Sequence, residues 1–385
     1  MKTNTEVNTH LEEDDMKGKI ENLRKDVETD RTFSLEHFHL SDLDTGKSHT
    51  FEVFDSAPKY FYGTVTRTVD DTKRNEFLPV LESAFTIRGQ NFSIRVHPAT
   101  VSETRSRKDD TRINRQYYPG AVEELVCDVI VKLASQGRSS YIKEPGKEEQ
   151  EAGVCVWFTL YEVQQELKQQ GYTYAISRIK KAIEILSSTH LEIEGKVGKA
   201  NVTLRENFFT SLAMTTSEDW KRYGKTAKVV VRLNTLIHRS IQKGSFRLLN
   251  YERNMALRDP LSRWLHKRLT LMWKGASPAK EDSYAILLST ILNQSGLNPK
   301  MEFGKARRCI EAALEELKTQ NVLSLYESEP IQNPEKRKGI FSDVKYILRP
   351  SREFISEIIL ANKREKTVRK KMSERALNGK INLDD

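Results

Sequence analysis

Basic side chains recur at helical spacing in two separate stretches of the 385-residue chain. In the first stretch, one predicted helix carries a serine and three basic residues on the side opposite its apolar stripe: Ser177, Arg178, Lys180 and Lys181. In the second stretch, another predicted helix carries Lys305, Arg307 and Arg308. Arginine and lysine donate hydrogen bonds to guanine edges in the major groove of DNA and to phosphate oxygens. The chemistry that these residues predict is therefore recognition of a nucleic acid.

The elements around the first cluster predict how it is presented. A helix over Leu160–Gln169, a break at Gly171 and a second helix from Tyr174 precede a strand over His190–Glu194. The turn after that strand carries two lysines, Lys196 and Lys199. This order is typical of a winged helix, which places its second helix in the major groove and its hairpin along the phosphates. A helical hairpin beside a sheet, with a solvated lysine face, is the alternative interpretation of this stretch alone.

The same order of elements returns later in the chain. Tyr284–Gly296 and Phe303–Leu317 predict a helix pair, and Val322–Tyr326 with Gly339–Leu348 predicts a hairpin. The hairpin loop contains three adjacent basic residues, Lys336, Arg337 and Lys338. Repetition of a unit within one chain is stronger evidence than either copy alone. We therefore predict an α+β fold with tandem winged helices, that is, helix-turn-helix motifs with β-hairpin wings.

Composition agrees with a polyanionic partner. Lys and Arg outnumber Asp and Glu by 63 to 54, which gives a net charge of +9. No apolar run approaches the ~18 residues of a membrane helix, and the N-terminus is polar and acidic. We therefore expect a cytoplasmic protein. The widely spaced Cys127, Cys155 and Cys309 predict free thiols, with no metal site, disulfide framework or cofactor.

Four regions follow from these assignments: a partly disordered N-terminal region over 1–110, winged-helix domains over 111–242 and 243–350, and a basic tail over 351–385. Across the boundary between the first two regions, Ser102–Arg115 is predicted to be a charged linker. The helix Pro260–Lys274 is predicted to face solvent with five basic side chains: Arg263, His266, Lys267, Arg268 and Lys274. In the tail, Phe354–Arg375 predicts a basic helix whose cations are either solvated or bound to phosphates.

With two such outlines in place, the chain resembles plasmid replication initiators of the tandem winged-helix type, and is most similar to the broad-host-range TrfA-type initiators. The matching segments follow one another in the order of that family: Tyr118–Ser135, Phe158–Glu194, Arg247–Gly275 and Ser283–Tyr326. The resemblance implies that Tyr174–Leu186 and Phe303–Leu317 are the helices that enter the major groove.

The resemblance also implies a function and partners. It implies binding to directly repeated sites, called iterons, in double-stranded origin DNA, and opening of an adjacent AT-rich duplex. It implies recruitment of the host replication initiator and replicative helicase, with monomers acting on DNA and homodimers being inactive. The segment Thr50–Pro58 is similar to the family's short sliding-clamp-binding peptide through Phe51–Phe54, although Thr50 stands where the family has Gln. A plain strand is the alternative interpretation of that segment.

Two other classes of function compete with an origin-binding initiator. A winged-helix transcriptional regulator would use the same DNA-binding surfaces, but many regulators carry one such unit and dimerise. A nickase or primase would need a metal-binding cluster of acidic residues or histidines, or a nucleophilic tyrosine beside one. The sequence shows no such cluster, so we predict no catalytic residues and no enzymatic activity.

Overall fold

The computed structural model describes residues 35–62, 77–106, 109–142, 153–197, 200–214, 226–277, 282–332 and 341–381. The predicted disorder before residue 35 lies outside this part of the chain. Within it, helices and strands are mixed, as the predicted α+β class requires. None of the helices in these ranges is long and apolar enough to cross a membrane.

Ten α-helices are described, in addition to a 3-10 turn at Asp42–Asp44. They are α1 (Glu52–Ser56), α2 (Ala121–Ser135), α3 (Leu160–Gln169), α4 (Ile176–Ser188), α5 (Thr235–Gln242), α6 (Tyr251–Ala256), α7 (Pro260–Met272), α8 (Leu288–Gln294), α9 (Phe303–Thr319) and α10 (Arg352–Ile381).

The described strands all pair antiparallel. They are β1 (Lys47–Phe51), β2 (Leu81–Ile87), β3 (Gln90–His97), β4 (Ala99–Ser106), β5 (Asp109–Tyr117), β6 (Ser139–Ile142), β7 (Gly153–Thr159), β8 (His190–Val197), β9 (Ala200–Asn207), β10 (Phe209–Met214), β11 (Lys228–Leu233), β12 (Phe246–Asn250), β13 (Tyr284–Leu287), β14 (Leu323–Gln332) and β15 (Phe341–Pro350). Their sheets have the orders β10-β11-β7-β6, β13-β15-β14, β2-β3-β8-β9, β1-β12 and β4-β5.

The first helix–turn–helix unit consists of α3, α4 and the hairpin β8–β9. Thr159 caps the start of α3 through two reciprocal hydrogen bonds. The Thr159 hydroxyl accepts from the backbone N–H of Glu162 at 3.1 Å, and the Glu162 carboxylate accepts from the backbone N–H of Thr159 at 2.7 Å. Gly171 ends the helix with a φ of +79°, a conformation that glycine adopts without strain. The predicted bounds of α3 are confirmed, and α4 begins two residues later than predicted.

The second unit consists of α8, α9 and the hairpin β14–β15, preceded by β13. Phe303–Thr319 confirms the second predicted helix of this pair. The single helix predicted over Tyr284–Gly296 is wrong in its first turn, because Tyr284–Leu287 pairs with Lys345–Leu348 of β15 as a strand. A short apolar run has no periodicity that separates a buried strand from a buried helix.

Two large hydrophobic cores divide the described residues at the connection between α6 and α7. The first core draws its side chains from Leu35 to Met255 and from Val368, and the second from Leu257 to Ile358. Strands from the N-terminal region belong to the first body, because β3 pairs with β8 and β1 pairs with β12. The bounds of the four predicted regions remain predictions.

Two segments predicted as connections are regular elements that pack on the rest of the molecule. The charged linker predicted over Ser102–Arg115 is wrong, because these residues form most of the β4–β5 hairpin. The C-terminal helix α10 is longer than predicted and crosses both bodies. Phe354 and Ile358 lie in the second core, whereas Val368 lies in the first. The helix therefore bridges the two cores.

Candidate nucleic-acid interface

The apolar stripe of α4 fixes which side of that helix can face a ligand. Ile179, Ile183 and Leu186 recur at three- and four-residue spacing and are fully buried. On the other side, Ser177 is exposed and Lys180 is half-buried, with its Nζ 3.8 Å from the Glu184 carboxylate one turn away. Such an exposed pair contributes little free energy and leaves Lys180 available to a phosphate.

Arg178 is held by an acidic residue at the start of another helix. Its Nη2 donates to Glu123 Oε1 at 2.9 Å. The other oxygen of Glu123 accepts from the backbone N–H of Gly120 at 2.8 Å, where α2 begins. The Glu123 side chain is fully buried, while 30% of the Arg178 side chain is exposed. The guanidinium therefore lies at the surface but is already paired.

Lys181 is held by the β4–β5 hairpin. Its Nζ lies 2.5 Å from Glu103 Oε1 and 2.8 Å from the hydroxyl of Tyr117, and 4.2 Å from the centre of the Tyr117 ring. Burial alone would raise the pKa of Glu103, but the hydrogen bonds from Lys181 and Tyr117 outweigh it and hold that pKa below its usual value. The carboxylate is therefore charged and neutralises the lysine.

The second unit presents its cations differently. Lys305 and Arg308 are exposed on α9, and Arg308 Nε donates to the Gly304 carbonyl of the same helix, at 3.3 Å. Arg307 Nε donates to Glu311 Oε1 at 2.8 Å, one turn along the same helix. Among the described residues, the hydrogen bonds of Arg307 and Arg308 run within α9 itself, so this basic side is more open to a ligand than that of α4.

Of the predicted wing residues, Lys196 is exposed near the end of β8, opposite Asn201 on β9. The remaining predicted wing residues, Lys199, Lys336, Arg337 and Lys338, lie outside the described residues. Their assignment to phosphate contacts stays a prediction.

The basic side chains of α7 do not form the predicted solvent-facing surface. Arg263, His266 and Lys267 are buried at 1%, 0% and 5% exposure. Arg263 Nη2 donates to Glu124 Oε2 at 2.7 Å, and Lys267 Nζ donates to Asp128 Oδ1 at 2.6 Å. Both acids lie on α2, so these pairs join the two bodies. Arg268 and Lys274, the other two residues of the predicted set, are half-buried and bonded to Gln294 and Glu365.

Each buried cation of this junction is stabilised by neighbouring carboxylates. Burial opposes the charge of Arg263, but the adjacent Glu124 carboxylate outweighs burial and raises the pKa of the guanidinium. The pKa of Lys267 is also raised, because Asp128 and Glu124 outweigh the effect of its burial. The junction is therefore a network of buried ion pairs in the interior rather than a DNA-facing surface.

A second set of contacts ties the turn of the first unit to the α6–α7 connection. The hydroxyl of Tyr172 donates to the carbonyls of Met255 and Leu257 at 3.0 and 3.1 Å. Arg258 donates back to the Gln170 carbonyl at 3.0 Å and stacks on the Tyr172 ring at 4.5 Å. The turn between α3 and α4 is thus fixed against the segment that leads into the second body.

Helix α10 is anchored by polar contacts as well as by its apolar side chains. Glu365 accepts from Arg247 Nη1 at 2.5 Å and from Lys274 Nζ at 2.7 Å. Arg364 donates to the backbone carbonyls of His37 and His39. Other cations of this helix are exposed: Lys363, Lys366, Arg369, Lys370 and Lys371. The predicted basic tail is therefore a packed helix with a basic outer side.

Two further sequence predictions can be placed on the structure. Phe51 and Phe54, the aromatic residues of the clamp-like peptide, are buried at 1% and 2% exposure. A sliding clamp has no access to them in this conformation, and Glu52–Ser56 is helical rather than a strand. Across the described ranges, no group of three or more His, Cys, Asp or Glu residues has the arrangement of a metal site.

Comparison with known proteins identifies the family. No curated protein matches the sequence. A crystal structure of domains 2 and 3 of RctB is similar at 12% identity, over 78% of this chain and 96% of that chain, with a TM-score of 0.43. The Pi initiator protein in complex with iteron DNA is similar at 13% identity, over 60% of this chain and 91% of that chain, with a TM-score of 0.38. The sequence model described as Replication initiator protein A matches residues 112–318, more than half of the chain. The chain therefore belongs to the replication initiator protein A family, and its function is the initiation of replication by binding to an origin.

Proposed function

We propose that the chain is a tandem winged-helix initiator that binds direct repeats in origin DNA, with α4 and α9 in the major groove. The observation that carries this proposal is the solvent-facing position of Lys305 and Arg308 on α9, the helix that directly precedes the β14–β15 hairpin. A helix in this position, with a hairpin wing beside it, is the arrangement by which winged helices read base edges. Family membership favours the initiator over a winged-helix transcriptional regulator.

The junction supports the further proposal that one monomer reads two successive major-groove faces of one repeat. The ion pairs between α2 and α7, the Tyr172 contacts and the bridging helix α10 all limit movement between the two bodies. Because the two units cannot turn independently, their separation along DNA is set by the protein. A binding site for such a molecule has two parts at a fixed distance.

The later steps of initiation are proposed from the family resemblance. The bound monomer would open an adjacent AT-rich duplex and recruit the host initiator and replicative helicase, and a homodimer would be inactive. We place the protein in the bacterial cytoplasm, on plasmid or nucleoid DNA, without a catalytic residue, metal or cofactor of its own.

The four arginine and lysine residues proposed to reach base edges provide a direct test. Arg178→Ala, Lys181→Ala, Arg307→Ala and Arg308→Ala should each weaken binding to the cognate repeat, because a good base contact contributes roughly 1–3 kcal/mol of discrimination. Fluorescence anisotropy with the cognate repeat and a scrambled duplex measures the effect. Arg239→Ala, an exposed arginine on α5, is the matched control. Unchanged affinity in all four variants would refute the assignment of these helices.

The wing residues should behave differently from the helix residues. Neutralising Lys196, Lys199, Lys336, Arg337 and Lys338 should weaken binding to cognate and scrambled DNA alike, because phosphate contacts carry no sequence information. Removal of one lysine–phosphate or arginine–phosphate pair should reduce the slope of log affinity against log salt by about 0.9. A salt titration of each variant on both duplexes checks this, and weaker binding confined to the cognate duplex would contradict the phosphate role.

A further inference from the structure

The β4–β5 hairpin lies against the side of α4 that a DNA groove would have to accept. Ile185 of α4 is fully buried, although it does not belong to the stripe that packs in the first large core. Its partners are Ala99, Val101 and Tyr117 of the hairpin, with which it forms a small separate cluster. The hairpin therefore covers part of the helix surface that the core leaves free.

The same hairpin supplies the counter-charge for Lys181. Glu103 on β4 and Tyr117 on β5 both bind the Nζ of this lysine, and 29% of the lysine side chain is exposed. In a complex, a DNA phosphate or base acceptor would compete with this carboxylate for the Nζ of Lys181. An acceptor on DNA must replace Glu103 before Lys181 can contribute to binding.

We propose that the β4–β5 hairpin is an internal competitor for origin DNA, in which Glu103 holds Lys181 and the hairpin closes over α4 until DNA displaces it. This inference rests on the proposed function, since it requires that α4 enter the groove. It assigns a closed state to the first unit. Among the described residues the second unit has no such covering contact, because on α9 the cations Lys305 and Arg308 are exposed.

The way the hairpin is held is suited to displacement. Among the described strands, β4 and β5 pair only with each other, so no larger sheet has to break when they move. Among its described side chains, the buried apolar residues are few: Ala99, Val101 and Tyr117 pack on Ile185, and Ile113 is also buried. Elements with few buried apolar contacts open at a small fraction of the global unfolding free energy. DNA contacts of ordinary strength can therefore move the hairpin without unfolding the first core.

The charge of Glu103 can be removed without changing the size of its side chain. Glu103→Gln should tighten binding to the cognate repeat roughly two- to five-fold, the effect of releasing a partly exposed ion pair. The control is Glu194→Gln on β8, which removes the same charge where the partner Arg95 keeps a second carboxylate, Glu192, at 2.7 Å. An unchanged or weaker affinity for Glu103→Gln, or an equal gain in both variants, would overturn the proposal.

A double-mutant cycle of Glu103→Gln and Lys181→Ala separates this inference from the proposed function. If Glu103 acts through Lys181, the gain from Glu103→Gln should vanish when Lys181 is alanine, and a gain that persists there overturns the proposal. If Lys181→Ala alone leaves affinity unchanged, the proposed role of that lysine in DNA binding fails. If Lys181→Ala weakens binding but Glu103→Gln does not tighten it, only the competitor role of the hairpin fails.

Hydrogen exchange of the hairpin amides provides the independent measurement. In the wild-type chain, amides of Ala99–Ser106 and Asp109–Tyr117 should exchange faster when cognate DNA is bound, because the hairpin leaves α4. Slower exchange would mean that DNA clamps the hairpin in place, and unchanged exchange would mean that it does not move. Either of these two results overturns the proposal.

Discussion

Replacing Arg263 by alanine is expected to lower the free energy of unfolding by about 3–5 kcal/mol, because it removes the hydrogen-bonded counter-charge of the buried Glu124 carboxylate. Glu124 is 2% exposed and accepts two hydrogen bonds from Arg263, at 2.7 and 3.1 Å. Arg263 also donates to the carbonyls of Leu257 and Arg258, which would be left without this donor. Urea denaturation followed by circular dichroism measures the decrease in stability.

A matched set of variants separates the ion pair from the change in side-chain volume. Arg263→Ala combined with Glu124→Ala should cost less than the sum of the two single substitutions, because the double variant leaves no uncompensated charge. Arg239→Ala, which removes an exposed arginine from α5, should change stability by less than ~0.5 kcal/mol. A decrease of under ~1 kcal/mol for Arg263→Ala would show that the pair does not hold the junction.

The sequence predicted best those elements whose periodicity is set by a single buried stripe. The helices α3 and α9 have the predicted N-terminal bounds, because each buries residues three and four apart. The β4–β5 hairpin was not predicted, because only a few of its residues are apolar and buried. Val101, Ile113 and Tyr117 are among these few. Its central residues are charged or polar, a composition that is also typical of a linker.

The candidate interface was predicted in its residue types but not in its pairings. The positions of Lys305 and Arg308 follow from helical spacing, since within the described part of the chain nothing outside α9 binds their charged groups. The partners of Lys181 and Arg263 are 78 and 139 residues away, respectively, at Glu103 and Glu124. Pairing over such separations depends on tertiary packing, and a basic residue destined for a buried pair looks in the sequence like one on a solvated helix face.

Inserting five base pairs between the two halves of the repeat is expected to abolish tight binding. Half a helical turn rotates one major-groove face to the opposite side of the duplex, where a unit fixed to its neighbour cannot reach it. The affinity should fall towards that for non-specific DNA, roughly 10³-fold or more below the specific value. Anisotropy titrations on the native and the lengthened repeat, with a scrambled duplex as the reference, measure this change.

The most direct test of the fixed junction is a full-turn insertion of about ten base pairs in the same titration. It returns both major-groove faces to the same side of the duplex but moves them ~34 Å further apart. The junction of Arg263, Glu124, Lys267 and Asp128, bridged by α10, cannot extend over that distance. We therefore predict that the full-turn repeat binds as weakly as the half-turn repeat. Binding of the full-turn repeat with native affinity would contradict this account, because it would show that the two units are joined by a flexible tether.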